Sequence, residues 1–370
     1  MEEKTLALFF TRGMSLKEWN NRGLFEREIA LYNRLAKSFK RIYFFTYGGE
    51  EDLNYQECLA ENIVVIPNST QLFRNKNLYS FLIPFIHRKV LKQVDVLKTN
   101  QMDGSWTAVI AKKLLKKPLV VRTGYTWSRF CEEEEKKYFK KLIVSLIEKF
   151  AYANADGVAV ASEGDLNYVN RYSKGRIFSK VIPNYVDTSL FEPLDIEKKP
   201  KSLCFVGRLT KQKNLHALLE ALKDSSYLLD IIGSGEKERN LKLYAKENNL
   251  NVNFLGIVPH RQLPETLNRC EVFILPSLYE GMPKVLVEAM ACGLSVIGAN
   301  VEGIREVIVD GENGLLCDVT PGSIRRVIDK LFESENLRCE LGKKAREAIT
   351  EKFALEKIVE KELNLYEELF

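Results

Sequence analysis

VFILPSLYEGMPKVLVEAMACGLSVIGAN, residues 272–300, holds a strand, a loop, a helix and a second strand in one stretch. VFIL is an unbroken apolar run, long enough for a strand and too short for a helix. Pro276 and Ser277 end it, and the polar loop that follows carries Glu280 and Gly281. Pro283 stands where a helix begins, a position that does not use the N–H it lacks. The helix runs through Glu288 to about Cys292, and Gly293 stops it. Apolar strands joined by helices mean a parallel sheet covered on both faces.

Working outward, the same alternation fills the chain. LALFF (6–10), RIYFF (41–45), IVVIP (63–67), VDVLK (94–98), PLVVRT (118–123) and GVAVAS (157–162) read as strands with helix-length amphipathic segments between them. The pattern breaks at PNYVDTSLFEPLDIEKKPKS (183–202), which reads as a linker. It restarts with SLCFVGRL (202–209), LLDIIGSG (228–235), VNFLGIV (252–258), VFILPS and LSVIGAN. The expected architecture is α/β: two Rossmann-like, doubly wound parallel-sheet domains, residues 1–188 and 189–353. The amphipathic segment 354–370 either caps the second domain or crosses back to the first. In such sheets ligands bind beyond the carboxyl ends of the strands, which places the expected site in a cleft between the domains.

Composition sets the outer limits. With 370 residues, 45% apolar and 28% charged, the chain suits two folded domains and excludes disordered and fibrous classes. The net charge of +5 is unevenly spread: residues 1–190 carry 30 Lys and Arg against 21 Asp and Glu, the rest 25 against 29. A basic N-terminal half suits an anionic membrane or a phosphorylated substrate. No nucleic-acid motif or stacking platform accompanies it, so nucleic acid is not an expected partner. Seven cysteines without a CxxC pair argue against a zinc ribbon or a disulfide framework and point to a reducing, cytoplasmic setting. No transmembrane helix is expected.

The chemistry gathers at strand-to-helix loops. In FVGRLTKQKN, Gly207 turns the chain after a strand, and Arg208 and Lys213 follow, two cations suited to a diphosphate. The loop after VFIL delivers a helix N-terminus, whose free N–H groups and dipole favour an anion. Glu280 precedes that helix and Glu288 lies within it, so they fit two separate hydroxyl-bearing groups of one extended ligand. Gly233 and Gly235 form a third such junction, equally readable as a tight turn that touches no ligand. The three histidines, His87, His216 and His260, carry no metal-ligand spacing and read as structural or surface residues, and no Asp-x-Asp pair of the metal-binding kind is present.

Together, Glu-x7-Glu opening on EGMP, GRLTKQKN upstream and VIPNYVDTSLFEP resemble the family 4 retaining glycosyltransferases of the GT-B fold. The resemblance covers the C-terminal domain well and the linker in part. It implies that Glu280 contacts a donor sugar, that Glu288 binds the nucleotide ribose, and that Arg208 and Lys213 hold the diphosphate as it leaves. Backbone amides near Gly281, Met282, Val285 and Leu286 would complete the donor contacts, with Gly207, Gly233 and Gly235 lining them. The implied reaction is metal-independent, uses no cofactor beyond the nucleotide diphosphate sugar, UDP- or GDP-linked, and proceeds by front-face substitution. Its acceptor would be a hydroxyl of a glycan or lipid-linked glycan in surface polysaccharide or glycoconjugate synthesis.

The N-terminal half departs from that family's pattern. Many relatives carry a Gly-Gly pair in the first strand–helix loop; here TRGMSLKEWNNRG offers Gly13 and Gly23. Many also place a His after the strand matching PLVVRT; here the chain reads VVRTGYTWSRF. Gly23, Arg122, Thr123 and Tyr125 are therefore the expected acceptor- or sugar-side residues. Rival readings are a sugar-nucleotide epimerase of the same fold and a non-catalytic sugar-nucleotide-binding protein. Finally, segments 72–93 and 136–150 mix aromatic, aliphatic and basic residues, with Lys136, Lys137, Lys140 and Lys141 among the latter. They suit peripheral docking at the inner face of an anionic membrane, and they equally suit ordinary helices with one buried face.

Overall fold

The computed structural model describes residues 1–69, 75–128, 131, 138–173 and 177–370, without the side chains of 172 and 173. Residues 72–74, Lys136 and Lys137 of the basic–apolar stretches lie outside the described residues. Contacts divide the chain into two compact units, Met1–Pro183 with Ile358–Phe370, and Asn184–Lys357.

The first unit is built on strands β1 (Thr5–Phe9), β2 (Arg41–Phe45), β3 (Ile63–Ile66), β4 (Val96–Thr99), β5 (Leu119–Thr123), β6 (Gly157–Val160) and β7 (Phe178–Val181). Their order is β3-β2-β1-β4-β5-β6-β7, all parallel, so the order reverses between β1 and β4. Strands β1, β4, β5 and β6 are buried throughout, which is why they read as continuous apolar runs. FSKV of β7 was not legible in the sequence. It is an edge strand whose residues are all half-buried, so it carries neither a continuous apolar run nor a clean alternation.

The second unit repeats the plan with β8 (Ser202–Val206), β9 (Leu228–Ile232), β10 (Val252–Gly256), β11 (Val272–Leu275), β12 (Ser295–Ala299) and β13 (Leu315–Cys317). The order β10-β9-β8-β11-β12-β13 is again parallel, with its reversal between β8 and β11. The three-residue β13 is the other strand the sequence did not show.

The last helix, Leu355–Glu367, begins in the second unit and from Ile358 onward belongs to the first. Ile358, Leu365 and Tyr366 are fully buried, each contributing about 1.5–3 kcal/mol. A buried ion pair fixes the helix's register. Lys98, in the middle of the sheet on β4, has no exposed surface, and its Nζ donates to Glu362 Oε2 at 2.7 Å. The Tyr366 hydroxyl donates to the same oxygen at 2.8 Å, and the Lys98 ammonium lies 5.3 Å from the Tyr32 ring centroid. Burial by itself pushes the Glu362 carboxyl up, but Lys98 and Arg122 hold it below the usual carboxylate range.

Candidate functional site

The order reversal in the second unit puts the loops after β8 and β11 side by side at the carboxyl edge of the sheet, where open α/β sheets take their ligands. Backbone and side-chain bonds join the two loops. The Leu278 N–H donates to the Gln212 carbonyl at 2.8 Å, and Gln212 Nε2 donates to the Tyr279 carbonyl at 2.9 Å. One residue further on, Lys213 Nζ pairs with Glu280 Oε1, their side chains 11% and 8% exposed. Residues 67 positions apart in sequence thus form one cation–carboxylate pair at the site.

Three supports hold the Glu280 loop. Gly303, on the short helix after β12, lies so close that a Cβ there would meet the Gly281 carbonyl oxygen at 1.5 Å and the Glu280 oxygen at 2.6 Å. Asn184, buried at the start of the linker segment, donates through Nδ2 to the Met282 carbonyl at 2.7 Å. Its N–H points at the Met282 sulfur at 3.1 Å. Pro283 is the N-cap of the helix Lys284–Ala291, and Gly293 follows its end with φ +72°. Gly281 and Val285 are half-exposed, whereas Met282 and Leu286 are buried. The Leu286 N–H already donates to the Pro283 carbonyl at 3.2 Å, which takes it off the expected set of amides open to a ligand.

The remaining expected residues are placed less evenly. Arg208 is exposed and makes no ion pair or side-chain hydrogen bond with a described residue, so Lys213 alone of the two cations is held in place. Gly207 and Gly233 sit at adjacent strand ends, and a Cβ on Gly233 would meet the Gly207 oxygen at 2.0 Å. A Cβ on Gly235 would meet the Leu209 backbone at 2.5 Å. Close backbone packing therefore accounts for both of these glycines. Glu288 is 1% exposed. Its Oε1 lies 3.1 Å from His260 Nε2, and the His260 ring packs at 5.0 Å from that of Phe191. His260, on the loop after β10, was not read from the sequence as part of any site. Its partner is 28 residues away and adjacent only once β10 and β11 join the same sheet. Ser277 Oγ, at the tip of β11, is buried with no hydrogen-bond partner among the described residues.

In the first unit the expectation of a ligand-facing polar cluster at Arg122, Thr123 and Tyr125 needs correction. Arg122 is 7% exposed. Its guanidinium donates to the Ile182 carbonyl at 3.1 Å and lies 3.7 Å from Glu362. Thr123, buried, donates its hydroxyl to the Tyr125 carbonyl at 2.5 Å. Only Tyr125 presents its side chain, 40% exposed. Gly23, at φ +66°, follows the end of the helix Leu16–Asn21, and its N–H returns to the Asn20 carbonyl at 2.9 Å, a helix-stop role. What occupies the order reversal of this sheet is Arg12 after β1 and Asp103 after β4. They are bonded at 2.9 and 3.2 Å, with the guanidinium 5.6 Å from the Trp106 ring centroid. The signal was available: a cation and a carboxylate immediately beyond two strands that become neighbours.

A held lysine, an exposed arginine and a helix N-terminus together favour a dianionic group such as a diphosphate. Among the described residues no group of three or more His, Cys, Asp or Glu side chains is placed to hold a metal ion.

Residues 186–348 match the family described as glycosyl transferases group 1, and residues 29–190 match Glycosyltransferase Family 4. Over 90% of its length the chain is 32% identical to an uncharacterized glycosyltransferase of Methanocaldococcus jannaschii, covering 92% of that protein. It is 28% identical to the UDP-Gal:alpha-D-GlcNAc-diphosphoundecaprenol alpha-1,3-galactosyltransferase of Escherichia coli, covering 75% of this chain and 77% of that one. The structure of Anabaena HepE in complex with UDP superposes with a TM-score of 0.78 over 99% of this chain and 100% of that one, at 18% identity.

Proposed function

The chain belongs to the family 4 glycosyltransferases with the GT-B fold, and on that premise we propose that it moves a sugar from a nucleotide diphosphate sugar to an acceptor hydroxyl with retention of configuration. The observation that carries this reading is the Lys213–Glu280 pair beside the helix start at Lys284, at the order reversal of the second sheet.

Each group has a part in the proposed step. As the bond from the anomeric carbon to phosphate oxygen lengthens, negative charge collects on the leaving diphosphate. Lys213, Arg208 and the helix N-terminus stabilise that charge, which grows only as the bond breaks and so lowers the barrier rather than merely tightening binding. Glu280, released from Lys213 when the diphosphate claims the lysine, accepts hydrogen bonds from donor-sugar hydroxyls. Glu288 takes the ribose hydroxyls while its Oε1 stays against the His260 imidazole, which orients it. The acceptor oxygen attacks from the face the diphosphate leaves, and a diphosphate oxygen takes the acceptor's proton. The charge on the diphosphate is met by these side chains and amides rather than by a metal.

The name of the E. coli relative supports a UDP-linked donor and a lipid-linked acceptor. Arg12 and Asp103 of the first unit, where Arg12 is 34% exposed, are the groups we assign to acceptor recognition. A thermal-shift screen of UDP- and GDP-sugars tests the donor assignment. One nucleotide class is expected to raise the melting temperature of the wild type and to lose that effect in Arg208→Ala, because a ligand that binds only the native state stabilises it. A shift retained in full by Arg208→Ala overturns it. Donor binding without turnover on any acceptor would favour the non-catalytic reading.

A further inference from the structure

Among the described residues, 19 large hydrophobic side chains are exposed, and 11 of them lie on three helices of the first unit, Lys76–Ile86, Ser105–Leu115 and Tyr138–Asn154. The helix Ser105–Leu115 packs against both of the others. In Tyr138–Asn154 the buried side is Val144, Glu148, Ala151 and Tyr152. At about 3.6 residues per turn, Phe139, Leu142, Ile143, Leu146 and Phe150 fall on the opposite side and are exposed, Phe139 by 71% and Leu146 by 54%. Lys76–Ile86 repeats this: Tyr79, Ser80 and Ile83 are buried, and Leu78, Phe81 and Phe85 face away at 48%, 50% and 54% exposure. The middle helix joins the two stripes. Trp106 stacks on Phe81 with centroids 5.9 Å apart, and Lys113 sits 5.2 Å over the Phe150 ring. Beyond these contacts the stripe is left uncovered by the described residues, and an exposed apolar face spread over three helices marks an interaction surface.

Charge selects the partner. The three helices carry six lysines and one acidic residue, Glu148, which is fully buried; Lys112 is paired with Asp156. Lys140 flanks the stripe of Tyr138–Asn154, a placement from which a long side chain reaches headgroups while the rings enter the acyl boundary. The acidic run Glu132–Glu135 precedes that helix and lies outside the described residues. No described helix is long and apolar enough to cross a membrane. We propose that this three-helix face docks the protein peripherally on an anionic lipid bilayer. The inference goes beyond the donor reading and does not depend on it.

Vesicle co-sedimentation of the full chain tests it, with phosphatidylcholine vesicles and with vesicles half phosphatidylglycerol, no nucleotide present. Wild type is expected to bind the anionic vesicles at least about tenfold more tightly and to be released by high salt. Phe139→Ser/Leu142→Ser/Leu146→Ser should weaken binding at least about tenfold. Lys140→Gln/Lys141→Gln/Lys149→Gln should weaken it about fivefold per charge, and it reads the same face if the apolar variant does not fold. Equal binding by wild type and both variants, or no preference for the anionic lipid, overturns the proposal. So does a lipid-free dimer, seen by sedimentation velocity, that the same substitutions disperse while wild type ignores vesicles.

Discussion

Replacing Lys213 by Met removes one ammonium group and keeps the stem. Glu280 then keeps a carboxylate whose side chain is 8% exposed with its cationic partner gone. Breaking a buried pair from one side costs about 3–5 kcal/mol; since both partners here touch solvent, the cost belongs at or just below the lower end, about 2–3 kcal/mol. For a cooperative unit the size of Asn184–Lys357 that is a melting-temperature loss of roughly 5–8 °C. The effect on rate has a separate origin. A fixed donor aimed at developing charge contributes about 10²–10³ in kcat, so Lys213→Met should lose about that much when assayed well below its melting point at saturating donor. The double variant Lys213→Met/Glu280→Gln separates the two: with no stranded carboxylate it should recover most of the stability and none of the rate. A kcat for Lys213→Met within about threefold of wild type, or a double variant that regains rate with stability, would refute the assignment of Lys213 to the leaving group.

Three further outcomes follow from the same geometry. Gly303→Ala sets a methyl group against the Gly281 oxygen, so it should abolish nucleotide-dependent thermal stabilisation while leaving a folded protein; wild-type donor binding would show that the Glu280–Gly281 peptide is not part of the site. His260→Ala should raise the donor KM about tenfold with little change in kcat, and His260→Gln should restore it in part, if the histidine orients Glu288 for uniform binding; an unchanged KM in His260→Ala removes that role. Burial pushes the Glu148 carboxyl up despite its hydrogen bonds from Ser128. A raised carboxyl stabilises the fold fully at low pH and loses that contribution as pH rises through the folded value. Glu148→Gln, which keeps an acceptor for Ser128, should therefore gain melting temperature relative to wild type from pH 4 to 7; a gap that stays constant with pH contradicts this.

Strands buried on both faces are the plainest to read, because a run such as VFIL is apolar at every position, and the edge strands β3 and β10 show through their own apolar residues. β7 and β13 could not be read: FSKV has two polar residues among its four, and LLC is only three residues long. The loops bearing Arg208, Lys213, Glu280 and Glu288 were legible because each follows a strand and opens a helix. Their pairing was not: Lys213 meets Glu280 only because β8 lies beside β11, and strand order is a tertiary fact that local periodicity does not encode. The same holds for Lys98 and Glu362, 264 residues apart. The run VDVLK says nothing of the carboxylate that the last helix brings to its lysine. Arg122 misled for that reason: its position at a strand tip suggested a ligand contact, and the fold uses it to satisfy Glu362 and the Ile182 carbonyl.

The most direct test of retaining, metal-independent transfer is proton NMR of the product's anomeric configuration. The reaction should run in excess EDTA with the nucleotide sugar that gives the largest thermal shift. An axial-linked donor should yield an axial-linked glycoside at an undiminished rate. An equatorial product contradicts front-face substitution, and a reaction that stops in EDTA and resumes with Mn²⁺ contradicts stabilisation of the diphosphate by Arg208, Lys213 and the helix start alone.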